Sequence, residues 1–312
     1  MAAKPHFQLP ITILVLFLAL AFVALASASD PYSSPFGFLK NLKGCHKGEK
    51  VKGIHQLKNY LEKFGYVHYD HSNNSSSNND EFDDLLEAAV KTYQKNFHLR
   101  PTGVLDTQTL STMSMPRCGC PDIINGTNTM ERSSSNHGRH LGSFKTVSHF
   151  RFFDNNLRWP AGKTRLTYGF APGTPPRFSS IIARAYTKWE ARTHFRFSQV
   201  SFNSADMKVE FHGRTPTSNP NDEPFDGRGR VAGHAWAPTD GRAHYDIDEN
   251  WADGGVPGAM DLESVALHEI GHQLGLHHSE FEQAIMWSII PGGQRKGLDQ
   301  DDINGIRALY RV

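Results

Sequence analysis

Apolar and polar positions divide this chain into regions with different periods. An apolar run over 11–26, interrupted only by Thr12, comes first, preceded by Lys4 and ending in the small residues Ala26-Ser27-Ala28. A run so short, with a cleavable small-residue tail, predicts a secretory signal over 1–29 rather than a retained membrane anchor. Leu57, Leu61 and Phe64 then recur at helical spacing. A polar stretch over 70–84 interrupts them, and a second helical stripe carries Leu85, Ala89, Val90, Tyr93 and Phe97. Pro101-Thr102-Gly103 reads as a turn, and Thr107-Gln108-Thr109-Leu110 opens a third helix. These elements predict one small all-helical unit over 44–115.

The pattern changes beyond it. Over 125–143 the chain is mostly Ser, Asn, Gly, Arg and His, with little to bury. That predicts a linker, in which Arg132 and Arg139 invite trypsin-like cleavage. A strand is expected over 166–170, then a long helix over 178–193 with Ile181, Ile182, Ala185 and Trp189 as its buried stripe. Further strands are expected over 195–200 and 207–212, and a last helix near 301–309. The mixture predicts an α+β fold.

The 312 residues suit about two domains. Charge is balanced, 33 basic against 32 acidic residues, so no nucleic-acid partner is implied. Nothing apolar follows Val312, so no membrane anchor is expected and the product reads as a secreted monomer. In an exported chain, Asn73, Asn74 and Asn125 each begin an N-glycosylation triplet.

The candidate chemistry lies in residues 268–279, His-Glu-Ile-Gly-His-Gln-Leu-Gly-Leu-His-His-Ser. His268 and His272 are four apart, so a helix presents both from one face to a single ion. Gly275 lets the chain leave the helix and bring His278 round as a third imidazole. Three neutral imidazoles suit Zn2+ and leave a fourth position for water, and Glu269 stands beside it as general base. The full HExxHxxGxxH pattern leaves a His-rich surface helix as a poor alternative.

This string resembles the metzincin signature, with Met286 in Ala284-Ile285-Met286-Trp287 supplying the methionine turn beneath the metal. Pro116-Arg117-Cys118-Gly119-Cys120-Pro121-Asp122 resembles the cysteine switch of the matrix metalloproteinases, and the short layout is similar to their plant branch. The resemblance implies a metzincin zinc-protease catalytic domain over 144–312, with a twisted mixed sheet plus helices. It further implies a peptidoglycan-binding-like propeptide over 30–143 that includes the switch at 116–122, and no haemopexin-like domain. The expected activity is a zinc metalloendopeptidase of extracellular proteins, made latent when Cys118 takes the fourth zinc position, so that the propeptide is its own inhibitor. Arg117 and Asp122 are expected to pair and hold that loop.

The same resemblance points to further sites. Asp226, Asp246 and Glu249, with the carbonyls of Gly227 and Gly229, would bind Ca2+. His234 and His244 would belong to a structural zinc, but Asn219 and Asn221 stand where the family has ligands, so His212 or Asp222 would have to substitute. Asp206 resembles a ligand of a further calcium site. Ser264 is expected to wall a deep specificity pocket that prefers bulky apolar residues after the cut bond. Three cysteines leave an odd one, so Cys45 and Cys120 are expected either to form a disulfide or to stay as free thiols. Two rival readings remain, a catalytically silent secreted wall- or matrix-binding protein and a zinc hydrolase of the cell wall.

Overall fold

The computed structural model describes residues 36–70, 79–131, 149–214 and 224–312. The expected signal, Asn73, Asn74, Arg132, Arg139, Asn219, Asn221 and Asp222 lie outside the described residues. Among the described residues no helix is long and apolar enough to cross a membrane.

Three helices build the N-terminal part: α1 (Ile54–Lys63), α2 (Asp84–Asn96) and α3 (Thr107–Met113). Side-chain capping sets the starts of α2 and α3. The Asp83 side chain accepts from the Leu86 amide at 2.8 Å, and Asp106 accepts from Thr109 at 2.7 Å. The predicted stripes face inward except at Leu85, which is exposed while its neighbour Leu86 takes the buried position; Leu57, Leu61, Phe64, Ala89, Val90, Tyr93 and Phe97 are all buried. Lys58 is buried among them, its ammonium donating to Asp83 at 2.7 Å and Asn79 at 2.9 Å. A 3-10 turn at Gly37–Leu42, ahead of the expected start at 44, adds Leu39 and Leu42 to this core.

The C-terminal part is a six-stranded sheet with helices packed on it. Its strands are β4 (Arg165–Phe170), β5 (Arg196–Gln199), β6 (Met207–His212), β7 (Val231–Ala235), β8 (Arg242–Asp246) and, unexpectedly, β1 (Arg117–Cys118) from the switch. The order is β1-β7-β8-β6-β4-β5, parallel throughout except for the antiparallel β7–β8 pair. The 117–118 segment therefore extends the sheet at its β7 edge. There the Arg117 amide donates to Arg230 O and the Gly119 amide to Gly233 O, both at 2.8 Å. Short pairs β2 (Ile123–Ile124) with β3 (Thr127–Asn128), and β9 (Trp251–Ala252) with β10 (Met260–Asp261), lie outside that sheet.

Helices α4 (Pro176–Arg192), α5 (Leu262–Gln273) and α6 (Gln300–Tyr310) complete the architecture. The predicted stripe of α4 is buried, and Trp189 donates from its indole to Leu267 O at 3.0 Å, tying α4 to α5. All twelve residues of α5 are buried. Deleting a side chain like Trp189 from such a core costs about 3–5 kcal/mol. A second core joins the helical unit to the sheet, with Phe97 meeting Trp287 edge-on at 5.3 Å and Phe225, Val231 and Ile289 in the same cluster.

Candidate metal centre

The centre starts with α5, whose first turn is capped by Asp261 accepting from the Ser264 amide at 3.1 Å. His268 and His272 sit one turn apart on it. The helix ends at Gly275, whose φ of +99° is left-handed, and a Cβ there would lie 2.4 Å from Leu157 O. Only glycine reverses the chain at that point. His278 then returns to the helix, its ring 5.3 Å from that of His268 and 5.0 Å from that of His272.

Each ring is oriented through its Nδ1–H, which donates to Ile285 O for His268 (2.7 Å), Leu276 O for His272 (2.8 Å) and the Asp122 carboxylate for His278 (2.8 Å). That leaves three Nε2 lone pairs turned inward. Nε2 of His268 and His272 are 3.1 Å apart, two acceptors facing each other, while His278 Nε2 is buried without a partner. Burial and the neighbouring rings push His268 and His278 well down, so both imidazoles are neutral. Cys118 Sγ lies 3.4 Å from His272 Nε2. All four ligand atoms fall within 4.8 Å of one another and all four side chains are fully buried. Tetrahedral zinc bonds of about 2.1 Å to nitrogen and 2.3 Å to sulfur put neighbouring ligand atoms roughly 3.3–3.6 Å apart. The donor set and spacing fit zinc, and converging lone pairs without a cation would repel.

The switch is held by a carboxylate with several partners. Arg117 Nη2 donates to both oxygens of Asp122 at 2.8 Å, and Tyr66 OH donates to Asp122 Oδ2 at 2.8 Å. Asp122 also accepts from His278 Nδ1, so a residue just beyond β1 orients one of the three rings. The sequence offered the Arg117–Asp122 pair but no sign of the His278 bond.

Glu269 Oε2 lies 3.9 Å from Cys118 Sγ, and Oε1 is buried without a partner. Burial pushes this carboxyl up to about 8. Met286 is buried under α5, where a Cβ on Gly271 would lie 2.2 Å from its sulfur. The methionine turn is fixed from α6. Asp302 accepts from the amides of Ile285 (2.9 Å) and Met286 (3.2 Å), a role no motif signalled.

The remaining expected positions fare differently. Ser264 lines a pocket of about 730 Å³ with His268, Ile285, Ile290 and Lys296, which Phe97, Leu99 and Met115 of the helical unit also line. Its hydroxyl donates to Asp261 at 2.6 Å and accepts from the Lys296 amide at 2.8 Å, so it also fastens the pocket's loop. Asp246 and Glu249 are pushed up by burial, to about 6 and about 7, and Asp226 adds like charge to both. Asp246 Oδ2 is a buried orphan. Gly229 turns its N–H to Glu249 at 2.6 Å, and Asp226 also pairs with Arg230 at 3.3 Å.

Three further expected positions have partners of their own. The Asp206 carboxylate accepts from Lys163 at one oxygen and from the Thr167 amide and hydroxyl at the other. His234 and His244 are paired across β7 and β8, and His212 Nε2 approaches His244 Nδ1 at 3.2 Å. Yet among the described residues no third ligand atom closes on that pair as Cys118 does on the first centre. Of the two alternatives for Cys45 and Cys120 the free thiols are found, since Cys45 lies in the helical core while Cys120 donates to Ala235 O at 3.3 Å; Cys118 is free as well.

Residues 158–311 match the family described as Matrixin, and residues 50–113 match the putative peptidoglycan binding domain. The chain is 40% identical to Metalloendoproteinase 1 of Glycine max, over 100% of this chain and 99% of that protein. It is 40% identical to Metalloendoproteinase 2-MMP of Arabidopsis thaliana, over 86% of this chain and 74% of that one. It is 35% identical to Stromelysin-1 of Mus musculus, over 72% of this chain but 43% of that longer protein. A trihistidine centre on an α+β scaffold, a helical unit ahead of it and a plant relative alike from end to end together make this chain a matrixin, a zinc-dependent metalloendopeptidase of the matrix metalloproteinase type.

Proposed function

We propose that this matrixin is a secreted endopeptidase of extracellular proteins, made as a zymogen whose Cys118 holds the metal closed. The observation that carries this reading is the convergence of Cys118 with His268, His272 and His278 in one enclosed site. Zinc bound there would polarise a peptide carbonyl and make a water molecule acidic enough to attack it at neutral pH. The protein's own groups do the rest. His268, His272 and His278 hold the metal in fixed orientation through their Nδ1 partners. Glu269, raised by burial, takes the proton of the attacking water and passes it to the departing amine. Met286 forms an apolar floor, and the pocket beside Ser264 receives a bulky apolar residue after the cut bond.

The propeptide over 30–143 would block this site twice, with Cys118 at the metal and with β1 along the β7 edge that an extended substrate needs. Cleavage in the linker frees the catalytic part over 144–312. The apolar run over 11–26 supports export by a signal over 1–29. Clustered carboxylates at Asp226, Asp246 and Glu249 near Gly227 and Gly229 support a calcium site, since like charges raised by burial are relieved by a hard cation. The test of the core assignment is Glu269→Gln in the processed enzyme. Zinc content should be unchanged while kcat on a quenched peptide falls about 10²–10⁴-fold. Turnover near that of the parent would end the assignment of Glu269.

A further inference from the structure

The pocket beside Ser264 carries a cation that an apolar occupant would leave without a partner. Lys296 lines that cavity of about 730 Å³ together with Ser264, His268, Ile285 and Ile290. Both ends of the residue are fastened. Its amide donates to Ser264 Oγ at 2.8 Å and its carbonyl accepts from the same hydroxyl at 3.1 Å, which binds its backbone to the first turn of α5. Its ammonium donates to Glu282 O at 2.6 Å, on the segment between His278 and Met286. Glu282 lines the same cavity. The four-carbon stem therefore bridges two walls of the pocket and adds apolar surface along its length.

The neighbouring residue shows what a satisfied cation looks like here. Arg295 forks onto Asp261 at 2.9 Å and Asp253 at 2.5 Å. Lys296 has no such carboxylate. Among the described residues its ammonium makes no ion pair, and Asp302, Glu282 and Asp299 act on it only as nearby charges. Burial brings this ammonium down to about 8, as expected of a charge short of solvent. It carries three N–H donors, and Glu282 O takes one. A side chain that fills the pocket excludes water from the other two. A hydrocarbon tip leaves them unpaired, whereas an oxygen tip accepts from one of them.

We propose that Lys296 determines specificity, selecting after the cut bond a side chain with an apolar body and an oxygen acceptor at its tip, of the tyrosine or glutamine kind. Hydrocarbon residues of equal bulk are then the poorer substrates. The proposal rests on the reading of this cavity as the seat of the residue after the cut bond. The apolar body packs on Ile285, Ile290 and the lysine stem, as a bulky residue should. The tip meets the ammonium, whose hydrogen bond to an oxygen is charge-assisted. Tyrosine and phenylalanine share the body and differ only in that bond. A site that hydrogen-bonds a substrate hydroxyl separates such a pair more sharply than a purely apolar pocket does.

The experiment uses zinc-loaded processed enzyme and quenched peptides that differ only in the residue after the cut bond, with the cut position read by mass. That residue is tyrosine, phenylalanine, glutamine, methionine or alanine. The parent should cleave the tyrosine peptide with higher kcat/KM than the phenylalanine peptide. In Lys296→Met the tyrosine-to-phenylalanine and glutamine-to-methionine ratios of kcat/KM should each fall about tenfold. Ratios within one enzyme cancel any loss of folded protein, and Lys296→Arg, which keeps a cation, should retain most of the parent preference. Ratios unchanged in Lys296→Met, or a parent that prefers phenylalanine, would overturn the proposal. Alanine tests the reading beneath it. If the alanine peptide is cut as well as the bulky ones, the cavity does not seat this residue and both ideas fall. If alanine is poor while the ratios survive Lys296→Met, only the role of Lys296 fails.

Discussion

Under the proposed latency, Asp122→Ala in the uncut chain isolates the force that keeps Cys118 at the metal. Asp122 is fully buried, receives two contacts from Arg117 at 2.8 Å, and accepts from Tyr66 and His278. Removing it leaves the Arg117 guanidinium 1% exposed, stacked 3.6 Å from the centroid of the Phe64 ring and without its carboxylate. Breaking a buried pair from one side costs about 3–5 kcal/mol. That charge regains water only when the 116–122 loop leaves the β7 edge, so the cost falls on the closed state. At about 1.4 kcal/mol per tenfold, the equilibrium shifts toward the open form by roughly 10²–10³·⁵-fold. The assay is the initial rate of fluorogenic peptide hydrolysis by uncut proenzyme, with chain length checked on a gel at each time point. Activity should rise toward that of processed enzyme, and zinc content should hold because the processed enzyme lacks Asp122 as well. An uncut Asp122→Ala chain as silent as the parent would refute the idea that this carboxylate closes the switch.

Two further outcomes follow from the packing and the charges. Gly271→Ala puts a methyl group 2.2 Å from Met286 Sδ, so the processed enzyme should lose about 1–3 kcal/mol; an unaltered urea midpoint would show that Met286 does not press on α5. Asp246 and Glu249 are raised to about 6 and about 7 from ordinary values of 3.8 and 4.5, so the folded state holds their protons more tightly than the unfolded chain does. Their contribution is therefore full below about pH 4 and is lost as pH rises through 6 and 7. Calcium-stripped protein should melt lower at pH 8 than at pH 5.5, and calcium should restore more of the melting temperature at pH 8, where both carboxylates are free to bind it. A calcium effect independent of pH would remove these two residues from the site.

Much of the centre was legible because its spacing is local. A helix fixes which way His268 and His272 point, and Gly275 marks the reversal that returns His278; none of this needs a distant contact. The helical stripes at Leu57 and Leu61, and at Ile181 and Trp189, are legible for the same reason, since their period is that of the element itself. Strands β7 and β8 were not, because Val-Ala-Gly-His-Ala and Arg-Ala-His-Tyr-Asp carry no clean alternation and are mostly buried on both faces. The same limit hid three long-range facts: that residues 117 and 118 extend the catalytic sheet, that Asp122 orients a ring 156 positions away, and that Asp206 answers to Lys163. The amino-acid sequence alone pointed to zinc, to three imidazoles that converge in the fold and to a thiol that meets them there. Which carboxylates cluster in burial and which pair with neighbouring cationic or amide groups was decided only by the fold, because a side chain's partner depends on the register of strands far apart in the chain.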